Sequence, residues 1–335
     1  MDFAFNDEQR EIKSTAHEWV ASRFKPEKVR ELAESESPYD DQLWEQVCEL
    51  GWPGIAVAEQ YGGLGLGTVE LVILLEELGY ACAPVPLISN AIAGLAIETA
   101  GSDEQRQRWL PGIASGKARG AAELIADPEP VVGAAGGSAV LVLADGDGAK
   151  LIETESAMLE RLNLIDTTRA YYRVRAEGGE PLPGDVRPAV DRAAVALAAE
   201  LVGVAQRALE MAVAYARERE QFGRPIGAYQ AVSHRLADML WEVEEARSLA
   251  YYAAWAADAE PQSLALAASM AKARASDAAS TVTHQAIQTL GGIGFTWEHD
   301  VHFLLKRARV GAQMLGSARL HRERVAELVG LGPAT

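Results

Sequence analysis

Arg219-Glu220-Gln221-Phe222-Gly223-Arg224-Pro225-Ile226 separates two long helical patterns, and Gln230 follows seven residues after Gly223. About sixty residues later the chain reads Gln288-Thr289-Leu290-Gly291-Gly292-Ile293-Gly294-Phe295. The first stretch offers an arginine, an aromatic ring, a tight glycine turn and an amide side chain. The second offers another amide ahead of a glycine pair, where bare backbone lets a ligand approach closely. Arginine forks match phosphate oxygens, and amides match the polar edge of a base or an amide. The chemistry these residues point to is a dinucleotide laid across helix ends. Taken singly they read otherwise: Arg219 as a solvated helix-end cation, the glycine pair as an ordinary close approach of two helices.

Outward from these motifs the pattern stays helical. Alanine-rich helices are expected at about 189–218, 228–258, 262–289 and 298–330, long enough and closely enough connected for an antiparallel four-helix bundle. The run Ala265–Ala279 also suits a coiled-coil-like scaffold. Upstream, Gly and Pro signals separate helices expected at 7–34, 40–50, 67–79, 84–99 and 103–115. Asn6 or Asp7 is placed to cap the first, and Pro26 to interrupt it. Between these regions helical periodicity fades. Ser138–Ala144 reads as a strand before the turn Asp145-Gly146-Asp147-Gly148, and Ala149–Glu153 and Tyr171–Arg175 read as two more. The expected fold is mainly α with a small β insert: a helical domain at 1–120, a reduced β domain at 121–187 and a four-helix bundle at 188–335.

Composition narrows the function. The 335 residues are 49% apolar and carry a formal net charge of −17. Such a surface repels nucleic acid and anionic membranes, so neither is an expected partner. It repels phosphate-rich cofactors too, so a site for one must concentrate its cations locally. Cys48 and Cys82 sit in helical, apolar contexts and read as buried free thiols in a reducing cytosol. The start, Met1-Asp2-Phe3-Ala4-Phe5-Asn6-Asp7, has no signal-peptide pattern, and no apolar run reaches membrane-spanning length. A cytoplasmic protein is expected.

At these residues a family resemblance enters. The paired motifs resemble the carboxy-terminal domain of the acyl-CoA dehydrogenases, flavoenzymes that desaturate acyl-CoA thioesters. Gly51-Trp52, Tyr61-Gly62-Gly63-Leu64-Gly65, Glu76-Glu77-Leu78-Gly79, Gly101–Arg106 and Trp109-Leu110-Pro111 are similar to the family's amino-terminal domain. Thr296-Trp297-Glu298-His299 and Lys306-Arg307-Ala308 fit a bacterial branch. The matching segments cover most of 1–120 and 190–325. The resemblance implies FAD as cofactor, with Arg219 at its pyrophosphate and Phe222 packed beside it. Gln230 and Gln288 would bond its polar edges, where Gly291 and Gly292 admit it.

The chain also departs from that family. Its reaction removes an α-proton and delivers the β-hydrogen to the flavin, which needs a carboxylate base in a water-poor pocket. The two positions that usually carry the base correspond to Leu315 and Ala193, and neither takes a proton. Glu200 is the one charge within Ala193–Ala205. It reads as a structural carboxyl paired with an Arg or Lys of a neighbouring helix, as a partly exposed residue, or as a relocated base with a raised pKa. The Thr-Glu-Pro-like run and Ser/Thr-rich loop expected beside the flavin ring are replaced by Ile125-Ala126-Asp127-Pro128-Glu129-Pro130-Val131-Val132-Gly133. No tryptophan lies between Trp109 and Trp241.

In the family the flavin sits at a dimer interface, one subunit holding the ring and its neighbour the other end. Some bacterial members are heteromers of two related chains, including ones acting on steroid CoA thioesters. A chain keeping only the pyrophosphate-end motifs resembles the reduced partner in such a heteromer. It would complete the FAD site of a related catalytic chain that acts on an acyl-CoA. The competing expectations are a self-sufficient homomeric dehydrogenase with Glu200 as base, and a non-catalytic helical scaffold.

Overall fold

Asn6 starts the first helix by accepting a hydrogen bond from the Gln9 amide at 2.8 Å, while the Gln9 side chain accepts from the Asn6 amide at 3.1 Å. That reciprocal pair fixes the helix entry in a computed structural model that describes residues 4–332. Met1–Phe3 of the quoted start and residues 333–335 of the expected bundle lie outside the described residues. The expected helix over 7–34 is two helices, α1 (Asp7–Arg23) and α2 (Pro26–Glu34), because Pro26 cannot continue α1 and opens α2 instead. Then follow α3 (Asp41–Glu49), α4 (Thr68–Tyr80), α5 (Leu87–Ala100) and α6 (Asp103–Ala114). Helices α4 and α5 are apolar around most of their circumference and are buried along most of their length, as such helices must be.

The β insert is folded. It has seven strands: β1 (Gly120–Glu123), β2 (Val131–Gly133), β3 (Val140–Asp145), β4 (Gly148–Glu153), β5 (Met158–Leu162), β6 (Tyr171–Arg175) and β7 (Glu180–Pro181). They form one sheet in the order β1-β3-β4-β7 and a second in the order β2-β6-β5. Strands β3, β4 and β6 are the three legible as strands in sequence. The other four lack that signal for physical reasons: β1 is alanine-rich, β2 and β7 have three and two residues, and β5 is a polar edge strand.

The rest is helical: α7 (Arg187–Glu218), α8 (Gln230–Ala259), α9 (Leu264–Leu290), α10 (Val301–Gly311) and α11 (Ala318–Leu328). The expected fourth helix over 298–330 is therefore split. Leu315 has φ +54° and Gly316 φ +93°, left-handed values that end a helix, and Ser317 then caps α11. The molecule is mainly α with a small β insert, with α7 at its centre packed on α4, α5, α8, α9 and α10.

Two glycines permit that central packing. A Cβ on Gly203 of α7 would stand 1.9 Å from the Glu76 carbonyl oxygen of α4, and one on Gly79 would stand 2.1 Å from the Glu200 carbonyl oxygen of α7. Backbone meets backbone at the crossing, and backbone cannot rotate aside. Gly203→Ala is expected to lower unfolding free energy by about 1–3 kcal/mol, the usual penalty of overpacking. Denaturant titration checks this; unchanged stability would show that the helices can part without cost.

Candidate functional site

Helix α8 runs back along α7, and α9 returns along both, so the end of α7, the start of α8 and the end of α9 share one end of the bundle. Arg219 and Phe222 lie in the α7–α8 connection, Gln230 opens α8, Gln288 lies in the last turn of α9, and Gly291 and Gly292 follow it. Arg219 follows α7 with its backbone extended and its guanidinium exposed. Glu220–Gln221 (β8) and Arg224–Pro225 (β9) then pair as a short hairpin. Its two tip residues, Phe222 at φ +52° and Gly223 at φ +78°, fit the tight turn whose twist matches the strands. Tyr229 braces the hairpin: its hydroxyl donates to the Gln221 carbonyl at 3.0 Å, and the Arg224 guanidinium lies 4.0 Å from its ring centroid.

Several groups at this end have no use inside the chain. Phe222 is 93% exposed despite its left-handed backbone. The side chains of Arg219, Gln230 and Gln288 make no hydrogen bond or ion pair among the described residues. Helix α8 begins without a side-chain cap: the Val232 and Ser233 amides donate to the Tyr229 carbonyl, and the Gln230 and Ala231 amides have no partner among the described residues. A Cβ on Gly291 or Gly292 would meet nothing within 4 Å, so the pair serves no close approach between helices of this chain. Gly291 is needed for its backbone, at φ 65° and ψ −138°, which side chains disfavour. Beyond the glycines Ile293, Phe295 and Trp297 are exposed by 40, 79 and 69%. These are donors, open backbone and aromatic faces turned outward.

Glu200 lies elsewhere, in a buried ion cluster. Arg307 of α10 donates from Nη1 to Glu200 Oε1 at 3.1 Å and from Nε to Asp166 Oδ2 at 2.9 Å. Arg169 also donates to Glu200 Oε1. Tyr171 donates to Asp166 Oδ2 at 3.1 Å, and Arg307 reaches the Thr168 carbonyl at 3.3 Å. All four charged residues are at most 5% exposed. Burial would raise the Asp166 carboxyl, but Arg307, Arg169 and Thr168 hold it below its usual value. Burial opposes the charge on Arg307 as well, yet Asp166 leads the groups that raise it well above normal. Glu200 therefore has the arrangement of a structural carboxylate. Glu200→Gln leaves two buried guanidiniums undercompensated and is expected to cost about 3 kcal/mol of stability. Thermal unfolding of the variant checks this; an unchanged midpoint would show that the cluster holds nothing together.

Leu315 and Ala193, the two usual base positions, are buried and apolar. Leu315 is fixed where its loop is pinned: the His321 ring nitrogen lies 2.9 Å from its carbonyl, and Lys272 donates to Ala312 O at 3.3 Å and Gly316 O at 3.0 Å. It borders a cavity of about 440 Å³ between α10 and the β insert. Glu200 is not among that cavity's lining residues, but Glu123 and Asp127 of the insert and Arg309 of α10 are. Burial pushes the Glu123 carboxyl up to about 7, while its Oε1 accepts from the Ile125 amide at 2.9 Å. Sequence reasoning missed Glu123; its only signal was a lone acid in the apolar run Gly120–Ile125. Burial pushes the Cys82 thiol up to about 11, an inert buried sulfur, whereas Cys48 is half-buried and not enclosed as expected.

Because the folded state holds the Glu123 proton more tightly than the unfolded chain, the protein loses stability as pH rises from about 4.5 to about 7. Glu123→Gln is expected to remove that loss, on the order of 3 kcal/mol, and to leave stability below pH 4 unchanged. Urea titrations at pH 4 and pH 8 test this; equal gains at both would deny the buried charge.

FAD fits these residues at one end only. Unpartnered donors and open backbone suit its pyrophosphate and adenine portions. The cavity at Leu315 instead presents acidic residues, and the tryptophan and Ser/Thr-rich loop expected beside the ring are missing from the insert. Residues 6–117 match the family model for the acyl-CoA dehydrogenase N-terminal domain, and residues 186–330 that for the C-terminal domain. The chain is 35% identical over 315 residues to acyl-CoA dehydrogenase IpdE2 of Mycolicibacterium smegmatis, covering 94% of this chain and 96% of that protein. Among solved structures it resembles a variant of the Tcur3481–Tcur3483 steroid ACAD at 30% identity and TM-score 0.88, over 96% of this chain and 98% of that one. It also resembles a chain of the ChsE4–ChsE5 complex of Mycobacterium tuberculosis at 25% identity and TM-score 0.91, with both chains fully covered. Two family models over most of the chain and a full-length relative at this identity place it in one family: the protein belongs to the acyl-CoA dehydrogenases.

Proposed function

We propose that this chain is a cytoplasmic subunit of a heteromeric, FAD-dependent acyl-CoA dehydrogenase that desaturates an acyl-CoA thioester. It completes the flavin site of a related catalytic partner. The observation that carries the reading is the asymmetry of the chain. The bundle end at 188–335 presents Arg219, Gln230 and Gln288 without partners. The insert at 121–187 lacks the groups that would grip the flavin ring, and Leu315 and Ala193 replace the base.

Bound FAD supplies the acceptor for the β-hydrogen. This chain's part is to hold the far end of that cofactor. Arg219 and the uncapped start of α8 neutralise pyrophosphate in a protein whose net charge of −17 otherwise repels it. Gln230 and Gln288 bond the cofactor's polar edges, Gly291 and Gly292 leave it room, and Phe222 packs beside it. The partner contributes the ring-binding loop and the catalytic carboxylate. The 30% identity to a steroid ACAD and the likeness to a two-chain complex support a bulky acyl group and a mixed assembly. A homomeric enzyme using Glu200 is less well supported, because Glu200 is engaged by Arg169 and Arg307. A scaffold role alone leaves the unpartnered donors unexplained.

Purified alone, the chain is expected to be colourless, because half a site leaves the ring in water and forfeits most of its buried area. Co-purified with its partner, it is expected to give one flavin for every two chains, read from absorbance at 450 nm (roughly the usual flavin band). One FAD per chain in the isolated protein, with dehydrogenase activity, would overturn the reading. Arg219→Ala in the assembled complex is expected to weaken FAD about thirty- to a hundredfold with assembly intact. Equal affinity would remove Arg219 from the site and favour the scaffold.

A further inference from the structure

A second cavity, of about 240 Å³, opens where α1 hands over to α2, against the ends of α4, α7 and α10. It touches none of the residues assigned above to the flavin or the missing base. Its walls are apolar: Val20, Phe24 and Val29 on the α1–α2 side, Met211, Phe303 and Leu304 on the other. Two cationic side chains, Lys25 and Arg207, and the His17 imidazole reach it against one acid, Asp300. The acid is engaged elsewhere, by Arg30. His17 is also occupied, 2.8 Å from Glu77. Lys25 and Arg207 are not: neither has a carboxylate within ion-pair distance among the described residues. Arg207 lies over the Tyr80 ring, 5.2 Å from its centroid, and donates to the Tyr80 hydroxyl at 3.2 Å. That hydroxyl donates in turn to Glu210.

In a chain of net charge −17, a half-buried arginine without a carboxylate, at the mouth of an apolar cavity, is a position suited to a ligand's anion. The volume holds about eight groups the size of a water molecule or a methylene. We propose that this cavity binds a medium-length aliphatic carboxylate, its chain among Phe24, Met211 and Phe303 and its carboxylate on Arg207 and Lys25. Apolar burial supplies the affinity, and the two cations select the sign of the head group.

Isothermal titration of the full-length chain with nonanoate tests this. Saturable binding of one equivalent is expected, with a dissociation constant on the order of 0.1 mM. Nonylamine and nonanol are expected to bind at least tenfold more weakly. Arg207→Gln is expected to weaken nonanoate at least tenfold. Ala21→Trp, which fills the cavity from the exposed side of α1, is expected to abolish binding with the thermal midpoint preserved. No saturation by 1 mM (roughly ten times the expected constant), nonylamine binding as well as nonanoate, or unweakened binding to either variant would each overturn the proposal. So would nonanoyl-CoA binding more tightly than nonanoate and competing with it, since the occupant would then be a thioester.

Discussion

The buried guanidinium of Arg307 ties the molecule together. It comes from α10 in the carboxy-terminal region and is fully enclosed. Its partners are Asp166 and Thr168 from the β insert and Glu200 from α7. The Cys82 sulfur, just past α4, lies 3.8 Å from the Thr168 hydroxyl. Tyr39, between α2 and α3, accepts from the Ala170 amide at 3.3 Å. Every major region sends a polar group to this point. An unpaired charge at such depth is costly, so the cluster tolerates few alternative arrangements of its parts. The insert's segment 166–170 is held against the bundle in this way.

This arrangement bears on function. The family's chemistry needs a carboxylate facing substrate in a dry pocket. Here the carboxylate of α7 faces guanidiniums instead, and the loop at Leu315 is pinned by Lys272 and His321. The charge on Glu200 is bound in structure. At the far end of the bundle the opposite holds. The side chains of Arg219, Gln230 and Gln288 make no hydrogen bond or ion pair among the described residues, and Phe222 occupies a left-handed tip with its ring in solvent. Structural demand explains the first set of residues and does not account for the second.

The helices were legible because their signals are local. Asn6 and Gln9 cap α1, Pro26 divides it from α2, and apolar periodicity marks the rest. The break in the last helix had a local mark that the expectation of one helix passed over, Gly316 followed by the Ser317 cap, whereas Leu315 carries no sign of its left-handed backbone. Strand β1 was hidden for a similar reason: Gly120-Ala121-Ala122-Glu123 becomes a strand only through parallel pairing with β3. At the candidate site the residue types were readable, but their lack of internal partners was not. Pairing of Glu200 with an Arg or Lys of a neighbouring helix was among the readings of its sequence. That Arg169 joins it needed the fold, since the two residues lie on different elements, 31 positions apart.

We propose that one flavin is held by two unlike chains, with this chain at its pyrophosphate. An electron-density or cryo-EM map of the co-purified complex tests it most directly. The expected map shows a flavin whose pyrophosphate lies within hydrogen-bond distance of this chain's Arg219, and whose ring lies in the partner's β domain. Density for a flavin ring beside this chain's Leu315, or a flavin with no contact to Arg219, would contradict it.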